Sequence, residues 1–155
     1  MKYVIIGNSA AAVGAIEGIR NIDANGAITV ISDEPYHTYS RPLISYYLQN
    51  KTNKERMRYR EHNFYEKNNC VSLLGRSVTK IDPSKNVIVL DNAKKERYDK
   101  LLLATGSSPV IPPIKGLENV KDKYTFTKFD DALAIEKAVN TSSRVLILGA
   151  GLIGL

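Results

Sequence analysis

The sequence predicts an α/β fold in which a parallel sheet is accompanied by a small antiparallel β section. Residues 3–6 and 27–31 are short β-branched runs, and apolar residues between them recur at helical spacing as far as Ile22. Such a strand–helix–strand unit forms parallel strands through a right-handed crossover. Short strands over residues 71–90, broken by a hairpin turn at residues 82–86, predict the antiparallel section.

The other predicted elements follow in chain order. Residues 43–48 and 63–67 are expected to form short helices, and residues 101–104 a further buried strand. The prolines within residues 107–116 indicate a connector, and the apolar spacing of residues 130–139 predicts a helix. This alternation of strands and helices is typical of an α/β domain.

Composition excludes several classes of protein. The chain has 155 residues with 22 basic and 16 acidic side chains, a net charge of +6, and a hydrophobic fraction of 43%. These values describe a globular domain with a sizeable core. The single cysteine, Cys70, excludes an internal disulfide framework, and two histidines are too few for most histidine-rich metal sites. We therefore expect no metal site.

The start of the chain resembles a secretory signal only superficially. Its uninterrupted apolar core, residues 4–6, is shorter than the roughly 7 residues that a signal requires. No segment approaches the roughly 20 apolar residues of a membrane-spanning helix. We therefore expect a cytoplasmic protein with no membrane partner.

A turn of small residues separates the first predicted strand from the first helix. Gly7, Ser9 and Ala12 stand where a dinucleotide-binding turn carries three glycines. In such turns the backbone approaches a pyrophosphate, which rests on unpaired N–H groups of the helix N-terminus. Asp33 and Glu34 follow the second strand, where an acid binds a ribose. The order of these features favours nucleotide binding over an ordinary strand–helix turn.

A second strand and turn occur near the end of the chain. The apolar residues 144–148 are followed by Gly149, Gly151 and Gly154, which form a full G-x-G-x-x-G pattern. After a predicted strand, this pattern is typical of a dinucleotide-binding domain. The helix and the acid that would complete the motif are not in the sequence, so we expect a truncated second domain.

The two motifs divide the chain. Residues 1–116 are predicted to be the N-terminal segment of a first nucleotide-binding domain. Residues 117–155 are predicted to be a linker helix and the first strand and turn of the second. Because the apolar residues 145–155 lack their native sheet, we expect them to pack on the domain or on another copy, which would give a homo-oligomer.

Five motifs in order resemble those of one enzyme family. They are the turn at residues 7–12, SDEP at 32–35, YSRPL at 39–43, ATGS at 104–107 and the pattern at 149–154. Together they resemble the pyridine nucleotide-disulfide oxidoreductase superfamily, especially its rubredoxin reductase, ferredoxin reductase and nitrite reductase flavin-subunit branch. The resemblance implies a Rossmann-like FAD-binding domain, truncated at the start of a second Rossmann domain that binds NAD(P)H.

The resemblance also implies cofactor-binding roles for residues of this chain. Those implied for FAD are Gly7, Ser9, Ala10, Ala11, Ala12, Asp33, Glu34, Arg41, Pro42, Val78, Ala104, Thr105 and Gly106. Gly149, Gly151 and Gly154 would serve the nicotinamide cofactor. Arg41 resembles the arginine beside the flavin, and Val78 lies on the strand that touches the adenine. Tyr46 departs from the lysine of many relatives, and no catalytic residue is assigned.

The implied activity is electron transfer from NAD(P)H through FAD to a redox carrier protein or an attached acceptor domain. Two alternatives stay open: an NADH oxidase that reduces oxygen, and a non-catalytic nucleotide-binding regulatory module. The truncated chain itself is expected to be inactive and to hold FAD weakly or not at all.

Two further features limit this interpretation. Residues 39–49 contain no cysteine, and Cys70 is interpreted as a small buried hydrophobe, so disulfide reductase activities are disfavoured. The basic residues 51–60 are interpreted as a solvated helical face because Glu55 and Glu61 dilute their charge. We expect no nucleic-acid partner, and an acidic electron carrier fits the net charge better.

Overall fold

A computed structural model describes residues 1–149 and residue 151. In chain order, its strands and helices are β1 (Lys2–Ile6), α1 (Ala10–Ile22), β2 (Ala27–Ser32), α2 (Ile44–Leu48), α3 (Phe64–Lys67), β3 (Cys70–Leu74), β4 (Val78–Asp82), β5 (Val87–Leu90), β6 (Lys95–Arg97), β7 (Lys100–Leu103) and α4 (Phe129–Ala138). Short 3-10 turns lie at Arg41–Leu43 and Leu117–Asn119.

The chain forms two compact units. The first comprises Met1–Ser40 and Arg58–Ser107, and the second comprises Arg41–Met57 with the described part of Ser108–Leu155. The predicted domain boundary at residue 116 stays a prediction.

A parallel sheet with the strand order β3–β2–β1–β7 lies at the centre of the first unit. In its register, Ile6 is opposite both Ile31 and Leu103, and Ser32 is opposite Leu74. The carboxyl ends of the strands therefore meet at one edge, where open α/β sheets bind their ligands. The predicted α/β class is confirmed.

Alternating side chains of the parallel strands enter two separate cores. Ile5 of β1 packs with Val13 and Ile16, which are buried on α1. Val4, the neighbour of Ile5, packs instead with Ile88 of β5. Because successive side chains of a strand point to opposite faces, α1 covers one face of the sheet and the antiparallel strands cover the other.

The predicted antiparallel section forms from β4, β5 and β6. Strands β4 and β5 make the predicted hairpin, with Asp82 opposite Val87 and Asn86 in the left-handed region at φ 49. Strand β3 does not join them, because it pairs in parallel with β2. The apolar run alone could not distinguish these two partners for β3, and β6 was not predicted.

The structure differs from two expectations about strands. Strand β7 forms, but Leu102 and Leu103 are 39% and 60% exposed because β7 is the outer strand of the described sheet. Residues 144–148 form no strand, since no described strand pairs with them. Their side chains are exposed, with Leu146 at 84%, and the expected packing on the domain or on another copy stays a prediction.

The basic residues 51–60 are turns and not a helical face. Asn50 adopts φ 56 directly after α2, a left-handed conformation that ends a helix. The Asn53 side chain then accepts a hydrogen bond from the N–H of Arg56 at 3.0 Å, which favours a local turn.

The second unit contains α2 and α4. The Tyr47 ring of α2 meets the Phe129 ring of α4 edge-to-face, with centroids 5.0 Å apart, and its hydroxyl donates to Glu136 at 3.2 Å. Helix α4 begins at Phe129, one residue before the predicted start, and the Asp131 carboxylate accepts N–H bonds from Lys128 and Thr127. In the described part of the chain, no helix is long and apolar enough to cross a membrane.

Candidate functional site

Gly7 joins three strand ends at the carboxyl edge of the parallel sheet. It follows β1 directly, has a φ of +120°, and donates its N–H to the carbonyl of Ile31 at 2.7 Å. A β-carbon at this position would lie 2.6 Å from the carbonyl carbon of Ala104. A side chain here would therefore collide with the end of β7. Two predicted cofactor segments, the turn after β1 and the segment after β7, thus come together.

The N-terminus of α1 opens at the same edge. Ser9 caps it with an extended backbone, and its side chain makes no capping hydrogen bond. The first N–H groups of a helix have no intrahelical partner and lie at the positive end of the helix dipole. Ala10 and Ala11 are exposed, whereas Ala12 is fully buried in the core. The small, exposed residues Ala10 and Ala11 thus leave room for a pyrophosphate beside their N–H groups.

The two predicted ribose-binding acids differ in their surroundings. Both follow β2, at the same sheet edge as Gly7. Glu34 is only 5% exposed, and the hydroxyl of Tyr39 donates to its carboxylate at 2.6 Å. Asp33 is exposed. The structure therefore holds one buried, oriented carboxylate and one exposed carboxylate where the ribose is expected.

A buried polar cluster lies directly beside the turn. Tyr65 donates its hydroxyl proton to Asn8 Oδ1 at 2.6 Å and accepts the N–H of Thr38 at 3.1 Å. Asn8 Nδ2 donates to the carbonyl of Tyr36 at 3.1 Å. Burial raises the pKa of Tyr65. Sequence reasoning missed this cluster, since Asn8 and Tyr65 are 57 positions apart and match no motif.

Two buried polar atoms adjoin this cluster without a hydrogen-bond partner among the described residues. They are Thr38 Oγ1 and His37 Nε2. The imidazole of His37 packs against the Tyr65 ring with the centroids 4.8 Å apart. An unmet hydrogen-bonding capacity in a buried place is consistent with a ligand or water there.

The remaining FAD residues of the first unit lie where the strands end or begin. Ala104 is half-buried, and Thr105 and Gly106 are exposed after β7, with Gly106 at φ +70°. Val78 is the first residue of β4 and packs against the second core. The structure thus brings Ala104 to Gly7, while it places Val78 in the antiparallel sheet.

Arg41 and Pro42 belong to the second unit. They form the 3-10 turn Arg41–Leu43, where Pro42 is exposed. Arg41 is half-buried, and its Nη1 donates to the carbonyl of Thr127 at 3.0 Å. The arginine is thereby oriented by the segment that leads into α4.

The second glycine motif is not built as expected in the described residues. No strand precedes Gly149, and a β-carbon at Gly149 or Gly151 would meet no atom within 4 Å. A dinucleotide turn needs a strand and a helix to hold it, and neither flanks these two glycines in the described chain. Gly154 lies outside the described residues.

Cys70 opens β3, as predicted, and is half-buried. Burial raises the pKa of its thiol, and Sγ donates weakly to the carbonyl of Asn68 at 3.3 Å. A thiol that resists ionisation is a poor nucleophile. Among the described residues, no cluster of three side chains suited to a metal ion occurs.

A model of the pyridine nucleotide-disulphide oxidoreductase family matches residues 1–155. The chain is 36% identical over 154 residues to the epsilon subunit of NADH-dependent phenylglyoxylate dehydrogenase from Aromatoleum evansii, covering 99% of this chain and 36% of that protein. It is also 36% identical over 157 residues to the large subunit of nitrite reductase (NADH) from Escherichia coli, of which it covers 18%. The chain thus spans about a third or less of these relatives.

A solved structure shows the same fold. The chain superposes with a TM-score of 0.88 and 27% identity on a crystal structure of a covalent putidaredoxin reductase–putidaredoxin complex. The match covers 99% of this chain and 38% of that one.

Proposed function

Since this chain belongs to the pyridine nucleotide-disulphide oxidoreductase family, as its motifs predicted, we propose that it is the FAD-binding part of a reductase. The enzyme would carry electrons from NAD(P)H through FAD to a redox carrier protein or an acceptor domain. When bound, FAD supplies the ability to take up a hydride and to release electrons singly.

One observation carries the proposal: the turn after β1, the acids after β2 and the segment after β7 share one edge of the sheet. The N–H groups of Ala10 and Ala11 would hold the pyrophosphate, the buried Ala12 would allow close packing, and Gly7 allows the close approach of the pyrophosphate. Glu34, oriented by Tyr39, would accept hydrogen bonds from the ribose. Arg41 would bind the flavin end, and Val78 the adenine, as in the family.

The nicotinamide cofactor is proposed to bind at the second motif. Its support is the G-x-G-x-x-G pattern of Gly149, Gly151 and Gly154. The division into residues 1–116 and 117–155 belongs to the same proposal. Gathering these glycines into a turn would need a strand at residues 144–148 with a partner strand beside it.

An acidic redox protein is the proposed partner. One exposed side of the antiparallel sheet forms a concavity of about 790 Å³. Its basic side chains are Lys2, Lys80, Lys85, Lys95 and Arg97, against the acidic Asp82 and Glu96. Such a surface attracts an acidic protein and speeds its encounter. Nucleic acid and membrane are not proposed partners, and the cytoplasm is the proposed location.

The function is tested by anaerobic reduction of the full-length protein with NADH and with NADPH. We expect bleaching of a bound flavin by one of them, followed by reoxidation on adding an acidic carrier such as rubredoxin or ferredoxin. Equally fast reoxidation by oxygen alone would favour the oxidase alternative. A protein that neither nucleotide reduces would favour a regulatory module. Light scattering on the 155-residue chain tests the predicted homo-oligomer.

A further inference from the structure

The hydroxyl of Tyr65 connects the two halves of the proposed dinucleotide site. One half is the turn after β1, which contains Asn8, and the other is the segment after β2, which contains Tyr36 and Thr38. Tyr65 bonds Asn8 at 2.6 Å and Thr38 at 3.1 Å, and Asn8 bonds Tyr36 at 3.1 Å. Three hydrogen bonds thus join the pyrophosphate turn to the chain that carries Glu34.

The direction of each hydrogen bond is fixed. A phenol has one proton, and since Tyr65 accepts the N–H of Thr38, that proton goes to Asn8. Asn8 must then offer Oδ1 to Tyr65, which turns its Nδ2 toward the carbonyl of Tyr36. The Tyr65 ring is 7% exposed and packs in the core that includes Ala12 and Val13. The hydroxyl therefore has one position and one orientation.

Asn8 lies in the turn between a residue anchored through its backbone and a residue whose side chain makes no capping bond. Ser9 makes no side-chain capping bond, and Gly7 is anchored by its N–H to Ile31. Asn8 lies between these two residues, so its side chain is well placed to fix the turn. A binding loop that is held in its bound shape loses less entropy when the ligand arrives.

We propose that Tyr65 is a positioning residue for the FAD site, which sets the pyrophosphate turn through Asn8 at a fixed spacing from the ribose-binding acids. The inference rests on the proposed function. Tyr65 does not itself contact the cofactor, and it affects FAD binding by orienting Asn8.

The experiment measures the affinity of the full-length apoprotein for FAD and for ADP, which has the adenosine and the pyrophosphate without the flavin. Tyr65→Phe keeps the ring and removes the hydroxyl, and we expect both affinities to fall about tenfold. Tyr98→Phe is the matched control, since Tyr98 is a buried tyrosine of the second core. It should leave both affinities unchanged.

A double-mutant cycle separates positioning from general destabilisation. Asn8→Ala should weaken FAD binding about as much as Tyr65→Phe, and the double variant should be no weaker than the worse single variant. The inference is overturned if the two losses of FAD affinity multiply in the double variant. It is also overturned if the FAD affinity of Tyr65→Phe is within twofold of that of the wild type. If Tyr65→Phe does not fold, Asn8→Ala alone tests the contact, and unchanged affinity overturns it. A wild-type apoprotein that binds neither ligand refutes the proposed function itself.

Discussion

The carbonyl group of Ala104 occupies the space beside Gly7 that a side chain at position 7 would need. A β-carbon on Gly7 would be 2.6 Å from the carbonyl carbon of Ala104 and 3.3 Å from the nitrogen of Thr105. The ends of β1 and β7 can therefore meet only because residue 7 is glycine. This contact joins two segments that are 97 positions apart in the sequence and places both at the carboxyl edge of the sheet.

Gly7→Ala is expected to destabilise the first unit by about 3 kcal/mol, because it combines a collision with backbone and a φ of +120°. Urea unfolding measures this change. The control is Gly14→Ala on α1, where a β-carbon would meet no atom. That substitution should stabilise the protein by about 0.5–1 kcal/mol. Equal effects of the two variants would contradict the close approach at Gly7.

Replacement of the two acids is expected to have unequal effects on FAD affinity. Glu34 is buried and oriented by Tyr39, so a ribose would not have to order it. We expect Glu34→Gln to weaken FAD binding about tenfold and Asp33→Asn about twofold. Fluorescence titration of the full-length apoprotein measures both. A larger loss for Asp33→Asn would show that the exposed acid binds the ribose.

The cap of α4 predicts a pH-dependent stability. Partial burial acts to raise the pKa of Asp131, but N–H bonds from Lys128 and Thr127 outweigh it and lower the pKa. Because the folded pKa is below the ordinary value of 3.8, the stabilisation is present above pH 3.8 and is lost as the pH falls through the folded pKa.

Asp131→Asn should therefore cost about 0.5–1 kcal/mol at neutral pH, and this difference from wild type should shrink in acid. Unfolding by urea at a series of pH values measures it. Asp130→Asn is the control, since this neighbouring acid is exposed and should matter less. A difference that does not vary with pH would show that the charge of Asp131 is irrelevant to the cap.

Cys70 is expected to react slowly with thiol reagents. Burial raises the pKa of its thiol, so the thiolate fraction at neutral pH is smaller than that of a free cysteine. Iodoacetamide should label the Cys70 thiol much more slowly in the folded protein than in urea. Rapid labelling in the folded state would indicate a reactive thiol and would support a redox role for Cys70.

Much of the fold could be predicted because its signals are local. The β-branched runs and the helical spacing located β1, α1 and β2, and the polar turn at residues 82–86 located the hairpin. The pairing of strands depends on residues that are distant in the sequence. Strand β3 reads like its hairpin neighbours, and only the assembled sheet pairs Ile28 with Cys70. Residues 144–148 read like β1, but a strand requires a partner to satisfy its backbone.

The site could be predicted where a motif exists and not elsewhere. Small residues mark a turn that a phosphate can approach, so Gly7 and Ala12 could be proposed from the sequence. Tyr65 was not, because a tyrosine in a short helix has no pattern that indicates which loop its hydroxyl will reach. The difference between Asp33 and Glu34 also depends on burial, which adjacent residues do not reveal.

We propose that FAD places its pyrophosphate on the N-terminus of α1. Hydrogen exchange of the backbone amides of Ala10 and Ala11, with and without FAD, tests this placement in the full-length protein. Because these N–H groups lack intrahelical partners, we predict that FAD slows their exchange strongly. FAD that binds while the exchange of these two amides stays unchanged would contradict this placement of the pyrophosphate.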